Sequence, residues 1–183
     1  MMQSKTLAPL AAAALLAVSG AAFANPMVGG AAMFETKNIV ENAVNSKDHT
    51  TLVAAVQAAG LVDTLASPGP FTVFAPTNAA FAKLPAGTVD TLLKPENKGT
   101  LTAVLTYHVV PGRLSAADLA KQAKANGGKA ELTTVQGAKL TITGKYGKWY
   151  VTDAKGGKAQ ITIPNVNQSN GVIHVVDGVL LPG

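Results

Sequence analysis

Apolar positions in the first half of the chain recur at helical spacing. Ile39, Val40, Ala43 and Val44 predict one amphipathic helix. Leu52, Val53, Val56 and Ala59 predict a second, opened by Asp48 as N-cap and stopped at Gly60. The apolar stretch from Leu61 to Leu65 ends at Ser67-Pro68-Gly69-Pro70, a strong turn signal. Phe71 to Ala75 then reads as a strand broken by Pro76, after which Thr77 caps a short helix carrying Phe81 and Leu84. Thr88 opens a further turn, and Pro95 precedes a helix through Leu101, Val104 and Leu105. Tyr107-His108-Val109-Val110 reads as a strand ended by Pro111-Gly112. Ser115 with Asp118 resembles a capping box for a helix that runs to Asn126-Gly127-Gly128.

Beyond Gly128 the period changes from helical to alternating. Glu131 to Val135, Lys139 to Thr143, Trp149 to Asp153, Gln160 to Ile163 and Val172 to Val176 are short β-branched or alternating runs. Turns such as Gln136-Gly137, Tyr146-Gly147 and Gly156-Gly157 separate them. Helices early and strands late predict an α+β fold in which the early strands join the late sheet. No internal repeat divides the chain, so residues 36–183 are expected to form one domain. The Gly-rich segment 25–35 has no period and is expected to be a mobile lead-in.

The N-terminus follows a different rule. Lys5, the apolar stretch from Leu7 to Val18 and Ala22-Phe23-Ala24 stand in the order of a secretory signal, which makes residues 1–24 a signal peptide cleaved near Ala24. A retained signal anchor is the rival reading, but the run is short of the roughly 20 residues a membrane helix needs. The expectation is therefore a secreted or periplasmic protein without a transmembrane segment.

Composition narrows the chemistry. The 183 residues contain no cysteine, which excludes a disulfide framework, a thiolate nucleophile, a cysteine metal site and a lipidated cysteine. The formal net charge is +5, but the lysines are scattered and Arg113 is the one arginine. Such dispersion describes a solvated surface better than a nucleic-acid or polyanion footprint.

Three segments now carry a resemblance. Phe71-Thr72-Val73-Phe74-Ala75-Pro76-Thr77-Asn78-Ala79-Ala80-Phe81 resembles the first signature box of the fasciclin (FAS1, βIg-H3) domain family. Tyr107-His108 before Val109-Val110-Pro111-Gly112 resembles its central Tyr-His motif. Asn170-Gly171-Val172-Ile173-His174-Val175-Val176-Asp177-Gly178-Val179-Leu180-Leu181-Pro182 resembles its closing box. The resemblance implies a wedge-shaped β-sandwich of two sheets with helices packed along one edge. It also implies adhesion: contact with proteins, cell surfaces or matrix glycans by a single small secreted domain.

The boxes also have a physical reading. Pro76 ends a buried strand, and Thr77 or Asn78 can satisfy free N–H groups at the following helix start. Asn170-Gly171 is a turn pair suited to a positive φ. Beyond it Val172, His174 and Val176 point to one side of a strand, and Ile173 and Val175 to the other. Phe74, Pro76, Thr77, Asn78, Asn170, Gly171, His174 and Asp177 are thus expected to be structural.

Candidate partner-binding residues are Tyr107, His108 and Trp149. The resemblance makes Tyr107-His108 a receptor-contact motif, whereas strand alternation in an apolar setting would turn at least one of the two inward. A second contact motif of the animal relatives has Pro-Asp-Ile at its centre, and Pro164-Asn165-Val166 stands there instead, without the acidic ligand for a receptor's metal ion. Trp149 with Tyr146 and Tyr150, near Lys145 and Lys148, can form a sugar-stacking surface, although one of Trp149 and Tyr150 should face the core.

His49, in the first turn of its expected helix, His108 and His174 show no metal-ligand spacing, and no nucleophile elbow or phosphate loop occurs. No metal, cofactor, catalytic residue or nucleic-acid partner is expected. The function predicted is a secreted, non-catalytic adhesion or interaction module that binds a protein or glycan at a cell surface, matrix or envelope, with weak self-association. The alternative is a periplasmic carrier of a small apolar or anionic ligand held between helices and sheet.

Overall fold

A computed structural model describes residues 24–183; the expected signal peptide lies outside them except for its last residue. Most helices are short and lie in the first half. They are α1 (Ile39–Ala43), α2 (Thr50–Ala59), α3 (Val62–Ala66), α4 (Asn78–Ala82), α5 (Thr88–Leu92), α6 (Lys98–Tyr107) and α7 (Ala116–Ala125). The strands are β1 (Met27–Val28), β2 (Ala31–Ala32), β3 (Phe71–Pro76), β4 (Val109–Pro111), β5 (Lys129–Thr133), β6 (Lys139–Lys145), β7 (Lys148–Thr152), β8 (Lys158–Gln168) and β9 (Gly171–Val176). The protein is α+β, as the change of period predicts.

Seven strands run in the order β4-β3-β9-β8-β7-β6-β5, with β3 and β9 parallel and the other neighbours antiparallel. The long strand β8 belongs to two ladders. Lys158 to Gln160 pair with β7, whereas Ile161 to Gln168 pair with β9 through two register shifts. Such irregularities bend a strand and let it change partners. Pro164, which has no N–H to offer a ladder, sits in the shifted stretch between Ile163 and Val166.

Alternation along β3 and β9 then divides the interior. Val73, Ala75, Ile173 and Val175 meet Ile39, Leu52, Val56 and Leu105 from the helices. On the other side, Phe74 and Val176 meet Leu132, Leu140, Ile142 and Val151 from β5, β6 and β7. The two ladders therefore face one another across a shared core, and α1, α2 and α6 cover the opposite face of β3 and β9.

Three local expectations are corrected. Tyr107 ends α6 and His108 is its C-cap, so the strand begins only at Val109. The apolar spacing of Leu101, Val104 and Leu105 continues to His108, whose Nδ1 lies 2.8 Å from the Val104 carbonyl, one of the acceptors that a helix end leaves free. Asp48 lies in a 3₁₀ turn, Lys47–His49, and caps nothing; His49 stands at the N-cap of α2 rather than inside its first turn. Asn78 supplies the missing cap from another helix, accepting from Thr51 N–H at 3.0 Å and donating to the Lys47 carbonyl at 2.8 Å.

The third correction concerns the lead-in. Residues 27–32 form a hairpin, and Val28 and Met33 are buried in the core. Asn42, itself buried, pairs with both backbone groups of Phe34 at 3.0 and 2.8 Å and with the Gln168 side chain. A segment without helical or strand period is held here by side-chain amides, which leave no periodic trace.

Candidate functional site

The motif residues assemble into an interior scaffold. Tyr107 is fully buried; its hydroxyl donates to the Lys139 carbonyl and accepts from Ala154 N–H, both at 2.8 Å, and burial raises its pKa. His108 is buried beside it, donating through Nδ1 to the Val104 carbonyl and accepting at Nε2 from Leu180 N–H at 2.9 Å. Burial pushes this ring's pKa down to about 4, against the pull of the Val104 carbonyl, so it is neutral at ordinary pH. Neither side chain of the Tyr-His pair is presented to a partner in this fold. Both instead tie distant segments to the end of α6.

His174 is likewise buried. Its Nε2 lies 2.8 Å from the Leu114 carbonyl, its Nδ1 accepts from Asn165 N–H at 3.2 Å, and burial lowers its pKa. Asn165, where the animal motif carries an acid, has φ of 57° and accepts from Ala116 N–H at 2.7 Å. That amide therefore satisfies the first turn of α7. Nothing in the sequence marks it for that role.

Asn170 and Gly171 act differently from the expected turn pair. Asn170 donates to the Leu65 and Ser67 carbonyls at 2.7 and 2.8 Å and accepts from Ile39 N–H at 3.0 Å, joining α1, α3 and β9. Neither residue has a positive φ. Gly171 is required because its Cα faces the Phe71 backbone, where a Cβ would collide. Thr77 caps α4 through Ala80 N–H at 3.2 Å, and Pro76 closes β3 opposite Val176. Asp177 accepts from Gln160 N–H at 2.7 Å and lies 3.6 Å from Lys83.

These bonds account for His174 and Asp177, the one histidine and one carboxylate of the closing box, without chemistry. Among the described residues, no three His, Asp or Glu side chains group as metal ligands.

Binding chemistry is instead exposed at the β6–β7 hairpin. Lys145 pairs with Lys148, leaving Tyr146 and Gly147 as a two-residue loop with φ of 53° and 75°, the positive pair that a type I′ turn demands. Tyr146 is 91% exposed, and Lys145 Nζ lies 5.1 Å from its ring centroid. Trp149 is half-buried, lies over Gly144 on the neighbouring strand and packs against the core that holds Val151. Tyr150 points the other way, also half-buried.

Beside the indole opens a cleft of about 280 Å³, walled by Lys148, Trp149, Gln160, Thr162 and Pro164, with Ala116 and Leu119 of α7 at its far side. Its lining residues include one aromatic, two neutral polar residues and one lysine. Of the three partner-binding candidates only Trp149 is not buried, and Tyr146 stands exposed at the neighbouring turn. The sign legible in the sequence was an aromatic before glycine between two lysines.

The family model for the fasciclin domain matches residues 47–182. Protein sll1483 of Synechocystis sp. is 49% identical over 85% of this chain and 79% of its own length. The immunogenic protein MPB70 of Mycobacterium bovis is 37% identical over 93% of this chain and 90% of its own. Among solved structures, the FAS1 domain pair of the insect cell adhesion molecule fasciclin I superposes with a TM-score of 0.70 at 19% identity. That superposition covers 79% of this chain and 51% of the pair.

Proposed function

Because the chain belongs to the fasciclin domain family, we propose that it is an exported, non-catalytic interaction module that holds a glycan of a cell surface, matrix or envelope against the Trp149 cleft. The observation that carries this reading is the composition of that cleft. Trp149, half-buried, lines a space of about 280 Å³ whose other lining residues include Lys148, Gln160 and Thr162, so an aromatic and polar residues border one cleft. Sugars present apolar C–H faces and rings of hydroxyls, the two features such a wall can meet. Lys145 and Lys148 add positive charge at the rim, which favours acidic glycans.

The Tyr146 tip supports the same reading. An aromatic at positive φ is uncommon, and its strain is offset when the side chain is needed where it stands. A lone module of this size binds weakly, so several copies, by self-association, would be needed for firm attachment. Export rests on the small-x-small site at Ala22 to Ala24, and no described helix is long and apolar enough to cross a membrane.

The test is a glycan array with the purified protein, beside Trp149→Phe, Lys148→Ser and Tyr146→Asn variants whose folding is verified by near-UV circular dichroism. Retention of one glycan class, weakened by each substitution, supports the proposal. Failure of the wild type to retain any glycan would remove it.

A further inference from the structure

The helical layer leaves a cavity of about 90 Å³ against the sheet. Residues of α1 and α2 wall one side, residues of β3, β9 and the end of α6 the other, and Val28 and Met33 border it from the N-terminal hairpin and the residue that follows. Gln57, Thr64 and Val135 are the exposed members of its lining. The lining contains no lysine, arginine, aspartate or glutamate and is almost wholly hydrocarbon. It shares no residue with the Trp149 cleft.

One polar group in this wall lacks a well-formed hydrogen bond. His49 is 3% exposed, and its Nδ1 lies 2.9 Å from Ser46 Oγ, but its Nε2 is buried without a hydrogen-bond partner. The Ala75 carbonyl is near enough to favour the charged ring, yet burial outweighs it and lowers the pKa, so the imidazole is neutral. His108 also lines the cavity, but both its nitrogens are bonded. A buried nitrogen left unpaired is disfavoured, and His49 lines a space larger than one water needs.

We propose that this cavity is a binding site for a small, uncharged, largely apolar molecule carrying one hydroxyl, whose oxygen meets Nε2 of His49. Size and chemistry both constrain the ligand. An apolar cavity of about 150 Å³ takes up the six carbons of benzene, so this one holds roughly four non-hydrogen atoms, or the end of a longer molecule reaching out towards the exposed Val135. A charged ligand would be desolvated without a counter-charge, which disfavours the anionic form of a carrier and leaves the apolar one. A hydroxyl suits the site because Ser46 can give a proton to Nδ1 or take one from it. Nε2 is then a donor in one tautomer and an acceptor in the other, and a hydroxyl answers both.

The experiment uses the protein purified from an exporting host, labelled with ¹⁵N, with 1-pentanol and cyclopentane as probes. Both should produce saturable shifts of the Ala75 and Val175 amides. 1-Pentanol alone should move the His49 ring nitrogens. His49→Phe should weaken 1-pentanol about tenfold, the value of one hydrogen bond, and leave cyclopentane unchanged. Ala75→Leu, which fills the space, should abolish both. The wild-type ring shifts keep the test decisive if a variant fails to fold. Absence of saturable shifts with either probe, or His49 nitrogens that ignore 1-pentanol, would overturn the proposal.

Discussion

Phe74 and His174 stand opposite one another on the parallel strands β3 and β9, their ring centroids 5.7 Å apart and their planes 26° from parallel. The contact joins the first box to the last, and the imidazole extends it to Leu114 before α7 and Asn165 on β8. His174→Leu keeps an apolar side chain against Phe74 but leaves the Leu114 carbonyl and the Asn165 N–H without their partner. Each such loss costs about 1–3 kcal/mol when buried, and these groups are partly buried, so a destabilisation of about 2 kcal/mol is expected. Urea unfolding should show a lower midpoint at unchanged slope. A change below about 0.5 kcal/mol would contradict the structural role.

The buried histidines also set an acid limit. His108 has its pKa pushed down to about 4, and burial lowers those of His49 and His174 as well. Unfolded, each titrates near 6.5, so between that pH and the folded value the unfolded chain binds more protons. Stability from these residues is fully present above pH 6.5 and is lost as pH falls towards 4. For His108 alone the loss reaches roughly 3 kcal/mol. Asp118 and Glu131, whose pKa values are lowered by bonds from Ser115 and Lys139, lose their contribution only at still lower pH. Denaturant midpoints should therefore fall steadily between pH 6.5 and 4.5; a flat profile there would show that the histidines are not buried as neutral rings.

Legibility in the sequence followed distance along the chain. The strands after Gly128 and the α7 capping box depend on neighbours a few residues away, and period and turn chemistry revealed them. The true end of α6 was hidden because His108 continues a helical face while its β-branched neighbours Val109 and Val110 imitate a strand. Contacts that close over long separations left no such trace. Asn78 capping α2, Asn42 holding Phe34 and the His49 wall of the cavity were invisible for that reason. Trp149 was legible as an aromatic near lysines, but only the fold shows the cleft beside it.

Asn170 offers a sharper test of the closing box. Its amide meets three backbone groups from Ile39, Leu65 and Ser67, at least two of them deep in the structure. Asn170→Ala removes all three bonds at once and should cost about 3 kcal/mol, a melting-temperature drop of roughly 6–12 °C for a chain of this size. Asn170→Asp keeps the acceptor for Ile39 but turns a buried carboxylate oxygen against the Leu65 and Ser67 carbonyls, and should be at least as destabilised as alanine. Equal melting temperatures for wild type and Asn170→Ala would refute the staple.

The hairpin tip separates stability from binding. Tyr146 occupies a positive-φ position that asparagine tolerates better, and Asn-Gly is the preferred pair for this turn. If the tyrosine is there for a partner, the fold carries a strain that function requires. Tyr146→Asn should then raise stability by about 0.5–1 kcal/mol, in line with other substitutions that relieve backbone strain, while weakening the retention of glycan. Thermal unfolding and array binding measured on one preparation check both halves. A variant that gains stability and binds as well as wild type would place the contact elsewhere on the Trp149 cleft. A variant that loses stability would show that the ring, through Lys145 at 5.1 Å, holds the turn for structural reasons.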